Sequence, residues 1–520
     1  MSKRSLLFIG PVLTASGYGV HSRQLLRALV DSGAYELFVE STRWGDTSYI
    51  HGAEVEWIRP LILAREAAGD RKYDVSVQVS IPNEFRRVGR LTVGVTAGIE
   101  VDRVSPTWLQ KVNDEVDLLV VPSEHSLRTF TDTPYQAPDG QVLALQRAAV
   151  VIPESVPEGF RPEELAESMI PDAPASNLLV VGLGLDKPLG EDRKNISNTV
   201  LWFLREFKDR EDVGLVLKVQ IVNGSLMDFE TVRRRVGELR ALAGVGEFPR
   251  VTLLHGRLPD EQMARLYNDP RVSALVSLTH GEGFGLPLLE AAACGLPVVA
   301  TSWSGHLDFL RQGDHDMYIP VRHVLAEIPD SAVWEGVMDR GSRWANVSED
   351  DASGAMRLAA VSFETEASFV RDRALSHSEF VRQEFSQRAL QDRLTRILGD
   401  AWTQVTLQRP ETKEETVTAI RRQLSLPGDR KTLIFTMPMS AGDVYLSTAV
   451  LHELKRDCFV VFATKPQYRS ILEGNPDIDM IVDWQPWMQD VGLLEDVFDH
   501  VYTPNLAIQM VWSNWVHRGQ

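Results

Sequence analysis

Two glutamates flank a glycine-rich turn near the middle of the chain. Glu282 precedes Gly283 and Gly285, and Glu290 follows Glu282 after seven intervening residues. Glycine lets a backbone approach a ligand closely, and carboxylates accept hydrogen bonds from hydroxyl groups. Because an acid beside a phosphate would repel it, we interpret the two glutamates as acceptors for hydroxyl groups that flank a phosphate, such as those of a sugar and a ribose.

The surrounding sequence predicts the elements that hold these glutamates. The apolar run 274–278 predicts a buried strand, residues 288–294 a helix that Gly295 ends, and residues 296–300 a second buried strand. A strand, a glycine loop and a helix N-terminus in this order direct unpaired backbone N–H groups at one point, which suits a phosphate. Paired glutamates or a glycine loop alone would be weak evidence, but together they indicate a ligand site.

Two further segments could contact phosphate. Arg193 and Lys194 stand at the start of a predicted helix, where cations oppose the helix dipole unless an anion lies nearby, so both are candidates to bind a diphosphate. An exposed polar loop is the alternative. Gly17 and Gly19 follow the first predicted strand and leave the backbone open to a ligand, although a tight turn between strand and helix would have the same sequence.

Residues 282–287, Glu290 and residues 295–300 resemble the Glu-x7-Glu signature of family-4 retaining glycosyltransferases, which have the GT-B fold. The resemblance implies that the first glutamate and the backbone after it hold the transferred sugar, and that the second glutamate holds the donor ribose. It also implies a nucleoside-base loop at residues 255–257. The implied catalytic residues are Glu282, Lys194 and Arg193, and the implied donor-binding residues are Gly17, Gly19, Gly256, Arg257, Gly283, Phe284, Gly285, Leu286 and Glu290.

The first part of the chain departs from the family at one position. Many members have a histidine that reaches the donor sugar after the strand corresponding to residues 91–96, whereas this chain has Thr96 followed by Ala97 and Gly98. Glu100 or Asp102 could substitute for it. Residues 94–130 resemble bacteriophage-encoded enzymes, and the acceptor remains open among a glycan, a lipid, a protein and a modified nucleic-acid base.

Strand patterns that alternate with helical stretches predict an α/β protein with parallel sheets. We expect a GT-B fold in which two Rossmann-like domains face one another across a cleft, followed by a linker and a small α/β appendage. The expected bounds are residues 1–165, 166–402, 403–429 and 430–520. The appendage resembles the opening of family-9, heptosyltransferase-like enzymes. Its Trp484, Trp487, Trp512 and Trp515 favour a docking or homo-oligomerisation role.

Composition narrows the class of protein. The chain has 520 residues and a net charge of −18, which argues against a generally nucleic-acid-coating or anionic-membrane-binding surface. We find no apolar run long enough for a membrane helix and expect a cytoplasmic protein. The two cysteines give no disulfide framework, and residues 313–316 predict a turn rather than a metal site. We expect no metal and no cofactor, with a nucleotide-diphosphate sugar as co-substrate.

The sequence therefore predicts an enzyme that moves a sugar from a nucleotide-diphosphate sugar to an acceptor hydroxyl with retained anomeric configuration. Two alternatives stay open. One is a GT-B enzyme that epimerises a nucleotide sugar or catalyses phosphorolysis, and the other is a non-catalytic scaffold that binds sugar nucleotides.

Overall fold

The structure is a computed structural model, and it describes residues 3–504 apart from residues 46, 137–139, 184, 186–187, 222–223, 365–368, 410–411 and 456. The chain forms two compact units, Met1–Leu398 and Gly399–Gln520. The first unit contains two six-stranded sheets and the second contains a four-stranded sheet. The predicted α/β class is confirmed. Trp512 and Trp515 lie outside the described residues.

The first domain is built on a parallel sheet with the strand order β2-β1-β3-β4-β5-β8. Its central strands are buried along nearly their whole length, as expected when helices cover both faces of a parallel sheet. Its elements are β1 (Arg4–Gly10), α1 (Gly17–Ser32), β2 (Tyr35–Ser41), α2 (Ala53–Glu56), α3 (Arg59–Ala67), β3 (Tyr73–Val79), β4 (Gly89–Val95), α4 (Pro106–Glu115), β5 (Leu118–Val121), α5 (Glu124–Thr131), β6 (Tyr135–Gln136), β7 (Val142–Leu143) and β8 (Ala148–Val151).

The second domain repeats this plan after the crossover at residues 152–175. Its elements are β9 (Ser176–Leu183), α6 (Ile196–Glu206), β10 (Val213–Gln220), α7 (Leu226–Ala243), β11 (Arg250–His255), α8 (Asp260–Tyr267), β12 (Val272–Ser277), α9 (Leu286–Ala293), β13 (Val298–Thr301), α10 (Leu307–Leu310), β14 (Arg311–Gln312), β15 (His315–Asp316), β16 (Ile319–Val321), β17 (His323–Glu327), β18 (Arg343–Val347), α11 (Glu349–Glu364), α12 (Phe369–Glu384) and α13 (Gln387–Gln408). The main sheet has the order β11-β10-β9-β12-β13-β16, with its reversal between β9 and β12. In open α/β sheets ligands bind at such a reversal, beyond the carboxyl ends of the strands.

Phe385 and Ser386 interrupt the helical stretch between the end of α12 and the start of α13. The Ser386 hydroxyl accepts a hydrogen bond from the Ala389 N–H (3.1 Å), which caps α13. The freed Phe385 carbonyl accepts from the Val156 N–H (2.8 Å) in the crossover. The interruption therefore ties the end of the second domain back to the junction between the two domains.

A bridging segment, residues 323–347, extends from the second domain into the core of the first. Strands β17 and β18 pair as an antiparallel hairpin at its base. Apolar side chains of β18 and of the residues between the two strands pack with aromatic and aliphatic residues of the first domain. The sequence did not predict this contact. The cluster includes Ile328, Ala332, Val337 and Trp344 from the bridging segment and Phe85, Trp108 and Phe130 from the first domain.

The second unit has the parallel strand order β21-β20-β19-β22. Its elements are the end of α13, α14 (Lys413–Gln423), β19 (Lys431–Thr436), α15 (Ala441–Lys455), β20 (Cys458–Thr464), β21 (Met480–Asp483), α16 (Val491–Val497) and β22 (His500–Tyr502). The predicted linker 403–429 thus contains α14, whose Ile420 packs in the core of this unit with Val461 and Leu494. Trp484 and Trp487 pack against the same core.

Along the described part of the chain, no helix combines the length and the apolar character that crossing a membrane requires.

Candidate functional site

Glu282 lies in the loop between β12 and α9, at the carboxyl edge of the second sheet. Glu282 is only 4% exposed. The Glu282 N–H donates to the Ser304 hydroxyl (2.9 Å), and the Glu282 carbonyl accepts from the Gly305 N–H (2.9 Å). The loop after β13 therefore holds the backbone of Glu282 on both sides.

The cations predicted to contact phosphate meet this glutamate. Lys194 immediately precedes Asn195, the N-cap residue of α6, and its Nζ atom lies 2.5 and 2.7 Å from the two carboxylate oxygens of Glu282. The Arg193 carbonyl accepts hydrogen bonds from the His280 N–H (3.0 Å) and the Thr279 hydroxyl (3.2 Å). These bonds join the loop after β9 to the end of β12, its neighbour across the reversal of the sheet.

Glu282 forms a charged cluster with Arg193, Lys194 and Glu100. Arg193 lies 2.9 Å from the Glu100 carboxylate and 3.8 Å from the Glu282 carboxylate. Burial alone would raise the pKa of Glu282, but Lys194 and Arg193 outweigh it and hold that pKa below its usual value. Burial lowers the pKa of Lys194 in spite of its acidic neighbour. Glu282 is thus an ionised acceptor beside two cations.

Glu290 has a different environment. It lies one turn into α9, and its carboxylate accepts a hydrogen bond from the Tyr267 hydroxyl (3.0 Å). Burial raises the pKa of Glu290 to about 8, and the Tyr267 hydrogen bond opposes that rise. A carboxyl group that is protonated near neutral pH can donate as well as accept a hydrogen bond, which suits contact with a vicinal pair of hydroxyl groups.

The loop after β4 brings only one of its two candidate acids to the cluster. Glu100 lies beside Arg193, as described above. Asp102 instead accepts hydrogen bonds from the N–H (2.7 Å) and the Nε–H (2.8 Å) of Arg343 in the bridging segment. Near the end of β4, the Tyr18 hydroxyl lies 2.9 Å from the Thr96 hydroxyl, so a phenol stands close to the position where the sequence departs from the family that it resembles.

Several of the glycines predicted to bind the donor lie where the protein itself leaves no space for a Cβ atom or where the backbone conformation favours glycine. A Cβ atom on Gly283 would lie 2.2 Å from the Ala97 carbonyl of the first domain. A Cβ atom on Gly19 would lie 2.2 Å from the Thr14 carbonyl, whereas Gly17 faces open space. Gly285 has a φ of +105°, a conformation that favours glycine at the start of α9. The Phe284 ring packs on Phe309 in the core, and Leu286 is partly exposed at the first position of α9.

The loop after β11 contacts the first domain. Gly256 has a φ of +92°. Arg257 pairs with Glu54 of α2 and remains partly exposed. Arg257 therefore links the two domains at the predicted nucleoside-base loop.

Two buried residues near the domain junction were missed by sequence reasoning. His21 of α1 is fully buried, and its Nδ1 atom lies 3.8 Å from a carboxylate oxygen of Glu154, which is 4% exposed. Burial, together with the charges of Glu282 and Glu290, raises the pKa of Glu154 to about 8, and burial lowers the pKa of His21 to about 4. An acid within the apolar segment 149–156 was the signal that could have identified Glu154.

Within the described ranges, no group of three or more histidine, cysteine, aspartate or glutamate side chains is arranged to hold a metal ion. The predicted turn at residues 313–316 is confirmed as the β14–β15 hairpin, with Gly313 at a φ of +60°. Asp316 pairs with Arg311 (2.7 Å).

Residues 194–331 match the protein family described as glycosyl transferases group 1. The chain is 26% identical to sucrose synthase isoform 2 of Daucus carota over 137 residues, which cover 25% of this chain and 16% of that protein. It is 26% identical to sucrose synthase of Solanum tuberosum over 166 residues, or 28% of this chain and 20% of that protein. The chain thus matches no more than a fifth of the length of either plant protein.

A solved structure similar to this one is sucrose-phosphate synthase from Thermosynechococcus elongatus, with a TM-score of 0.51 at 17% identity. The alignment covers 76% of this chain and 99% of that chain. This likeness concerns the fold. The chain therefore has the GT-B fold, with two Rossmann-like domains, and its second domain carries the segment that matches the group 1 glycosyl transferases.

Proposed function

We propose that the protein transfers a sugar from a nucleotide-diphosphate sugar to an acceptor hydroxyl with retention of anomeric configuration. The observation that carries the proposal is the meeting of Lys194 and Arg193 with Glu282 beside the N-terminus of α9. Two cations and the N-terminus of a helix suit a diphosphate, and an ionised carboxylate beside them suits a sugar hydroxyl.

The donor would bind by exchange of partners. The Glu282 carboxylate, which Lys194 neutralises in the structure, would accept a hydrogen bond from a hydroxyl of the sugar. The Lys194 ammonium would then turn part of its hydrogen bonding to the β-phosphate. Arg193 stays anchored through Glu100 and remains beside the same phosphate. Glu290 would hold the ribose hydroxyls.

In the transfer step the bond from the anomeric carbon to the β-phosphate oxygen breaks, and a bond from the acceptor oxygen to that carbon forms on the same face of the sugar. The departing diphosphate gains negative charge, which Lys194, Arg193 and the N–H groups at the start of α9 stabilise. A phosphate oxygen accepts the proton of the acceptor hydroxyl. The protein's part is thus to place the donor and to stabilise developing charge, without a metal ion.

The acceptor would enter the cleft from the first domain. A glycan, a lipid, a protein and a modified nucleic-acid base are the acceptor classes that we propose to test.

A panel of nucleotide-diphosphate sugars tests the proposal. The purified chain should bind at least one donor and hydrolyse it slowly, and nuclear magnetic resonance should show a released sugar with the donor's anomeric configuration. Glu282→Gln should abolish hydrolysis, while Lys208→Met, at an exposed lysine beyond α6 in the same domain, should leave it unchanged. An epimerised nucleotide sugar, or a sugar phosphate formed only with added phosphate, would support the alternative enzymes instead, and donor binding without turnover would support a scaffold.

A further inference from the structure

A buried lysine outside the cluster around Glu282 lies at the carboxyl end of β10. Lys218 pairs in register with Val181 of β9 and Leu254 of β11, so the three side chains project from the same face of the sheet. Val181 and Leu254 pack against the core that contains Tyr267 and Leu289. Lys218 therefore faces α8 and α9, the helices that carry Tyr267 and Glu290.

The charge of Lys218 is poorly compensated. Lys218 is 8% exposed, and among the described residues no carboxylate forms an ion pair with its ammonium group. Burial lowers the pKa of Lys218, and Glu290, the acid that acts on it, opposes that shift. Glu290 is itself shifted toward its neutral form. A buried cation without an ionised partner reduces the stability of a fold, so its presence calls for a compensating ligand.

The neighbours of Lys218 indicate which part of a ligand it would meet. It interacts electrostatically with Glu290 and with His255 at the end of β11. Lys218 therefore lies on the side of Glu290, the residue that we propose for the ribose.

The loops that follow β10 and β11 approach each other beyond Lys218. A Cβ atom on Gly224 would lie 3.2 Å from the Cα atom of Gly256. The His255 Nε2 atom is buried without a hydrogen-bond partner. His255 is adjacent to Leu254, the register partner of Lys218, so the imidazole projects from the opposite face of the sheet and takes no part in the contact that Lys218 would make.

We propose that Lys218 is a further donor-binding residue, and that its ammonium group donates hydrogen bonds to oxygen atoms of the nucleoside monophosphate half of the donor, beside the ribose contact of Glu290. The proposal rests on the proposed function. The ammonium group has three donors and no acceptor, so it selects for oxygen atoms of the ribose, the α-phosphate or a base carbonyl. Lys194 and Arg193 act on the β-phosphate.

Titration calorimetry of the full chain with nucleoside monophosphates and diphosphates tests this division. Lys218→Met should lower the affinities for the nucleoside monophosphate and the nucleoside diphosphate by the same factor, roughly 10-fold or more. Lys194→Met should lower the affinity for the diphosphate much more than the affinity for the monophosphate. Lys208→Met, an exposed matched control, should change neither affinity. The apparent melting temperature of ligand-free Lys218→Met should equal or exceed that of the unmodified chain, because the variant removes a buried charge.

Unchanged monophosphate affinity in Lys218→Met, with nucleotide binding intact in the unmodified chain, would overturn this assignment and leave the proposed function standing. A loss of affinity confined to the diphosphate would place Lys218 at the β-phosphate and would also overturn the assignment. If Lys218→Met does not fold, Lys218→Gln provides the same comparison. Failure of the unmodified chain to bind any nucleotide would overturn the proposed function, and this inference with it.

Discussion

The imidazole of His280 stacks on the indole of Trp344, with ring centroids 4.4 Å apart and planes inclined by 10°. His280 stands two residues before Glu282, and Trp344 belongs to the bridging segment. The Ala345 N–H also donates to the His280 carbonyl (2.9 Å), and the His280 Nδ1 atom lies 2.7 Å from the Ala345 carbonyl. The bridging segment therefore fixes the start of the loop that carries Glu282, while its apolar side chains are anchored in the first domain.

Trp344→Ala should destabilise the protein. The side chain is 1% exposed, so its removal leaves a cavity between the two domains, and we expect a loss of about 3–5 kcal/mol in the free energy of unfolding. Chemical denaturation measures this loss. Trp334 of the same segment is 55% exposed, and Trp334→Ala should change stability by no more than about 0.5 kcal/mol. Similar effects of the two substitutions would show that the segment is not anchored through Trp344.

Lys194→Met should reduce turnover of the donor more than its affinity. Charge on the leaving diphosphate is larger in the transition state than in the bound donor, so the lysine contributes more to the transition state. By analogy with the loss of one oxyanion-hole donor, the cost should be roughly 2.7–4 kcal/mol in the activation free energy. Steady-state kinetics of donor hydrolysis, with Lys208→Met as the control, measures this cost.

Glu290→Gln provides a contrast within the same helix. We expect it to raise the Michaelis constant with a smaller change in turnover, because a ribose contact is made equally in the ground state and the transition state. An unchanged Michaelis constant with a collapsed turnover would reverse the roles that we assign to Glu290 and Lys194.

The buried acid at the domain junction should make stability depend on pH. In the unfolded chain Glu154 loses its proton near the ordinary glutamate pKa of 4.5, whereas burial keeps it protonated in the folded chain until its pKa of about 8. The stabilisation from this group is therefore complete below the lower of these two values and is lost, by about 1.4 kcal/mol per pH unit, as the pH rises toward the higher one. Glu154→Gln cannot titrate. The difference in unfolding free energy between the variant and the unmodified chain should grow in the variant's favour across this range, and parallel profiles would contradict the assignment.

Donor turnover should persist in the presence of a chelator. The groups that we propose for the diphosphate are Lys194, Arg193 and the backbone N–H groups at the start of α9, which supply positive charge without a divalent cation. Hydrolysis measured after extensive treatment with chelator should match the untreated rate. Loss of activity that manganese or magnesium restores would count against this view of the site.

A chain that ends at Arg409 should retain donor hydrolysis, because every residue proposed for chemistry lies in the first unit. The second unit exposes Tyr445, Leu446 and Val450 on α15 (68%, 70% and 47% exposed), a surface suited to contact with another chain. Light scattering should therefore show a smaller assembly for the shortened chain. A well-folded fragment without donor turnover would contradict the assignment of the chemical step to the first unit.

The sequence by itself determined the local features of the site. The apolar run, glycine loop and helix signals from residue 274 to residue 300 predicted β12, α9 and β13, and the positions of Glu282 and Glu290 on them follow from spacing alone. The alternation of strands and helices predicted the α/β class. These features are local, because periodicity and turn chemistry act over a few neighbouring residues.

Tertiary structure decided which distant groups meet. Lys194 and Glu282 are 88 residues apart in sequence and within hydrogen-bonding distance in space, because adjacent parallel strands end at the same edge of the sheet. Asp102 was a candidate for the sugar, but the bridging segment supplies Arg343 as its partner. The buried positions of Glu154 and Lys218 depend on packing between elements, and no spacing along the chain encodes the loss of water around a charge.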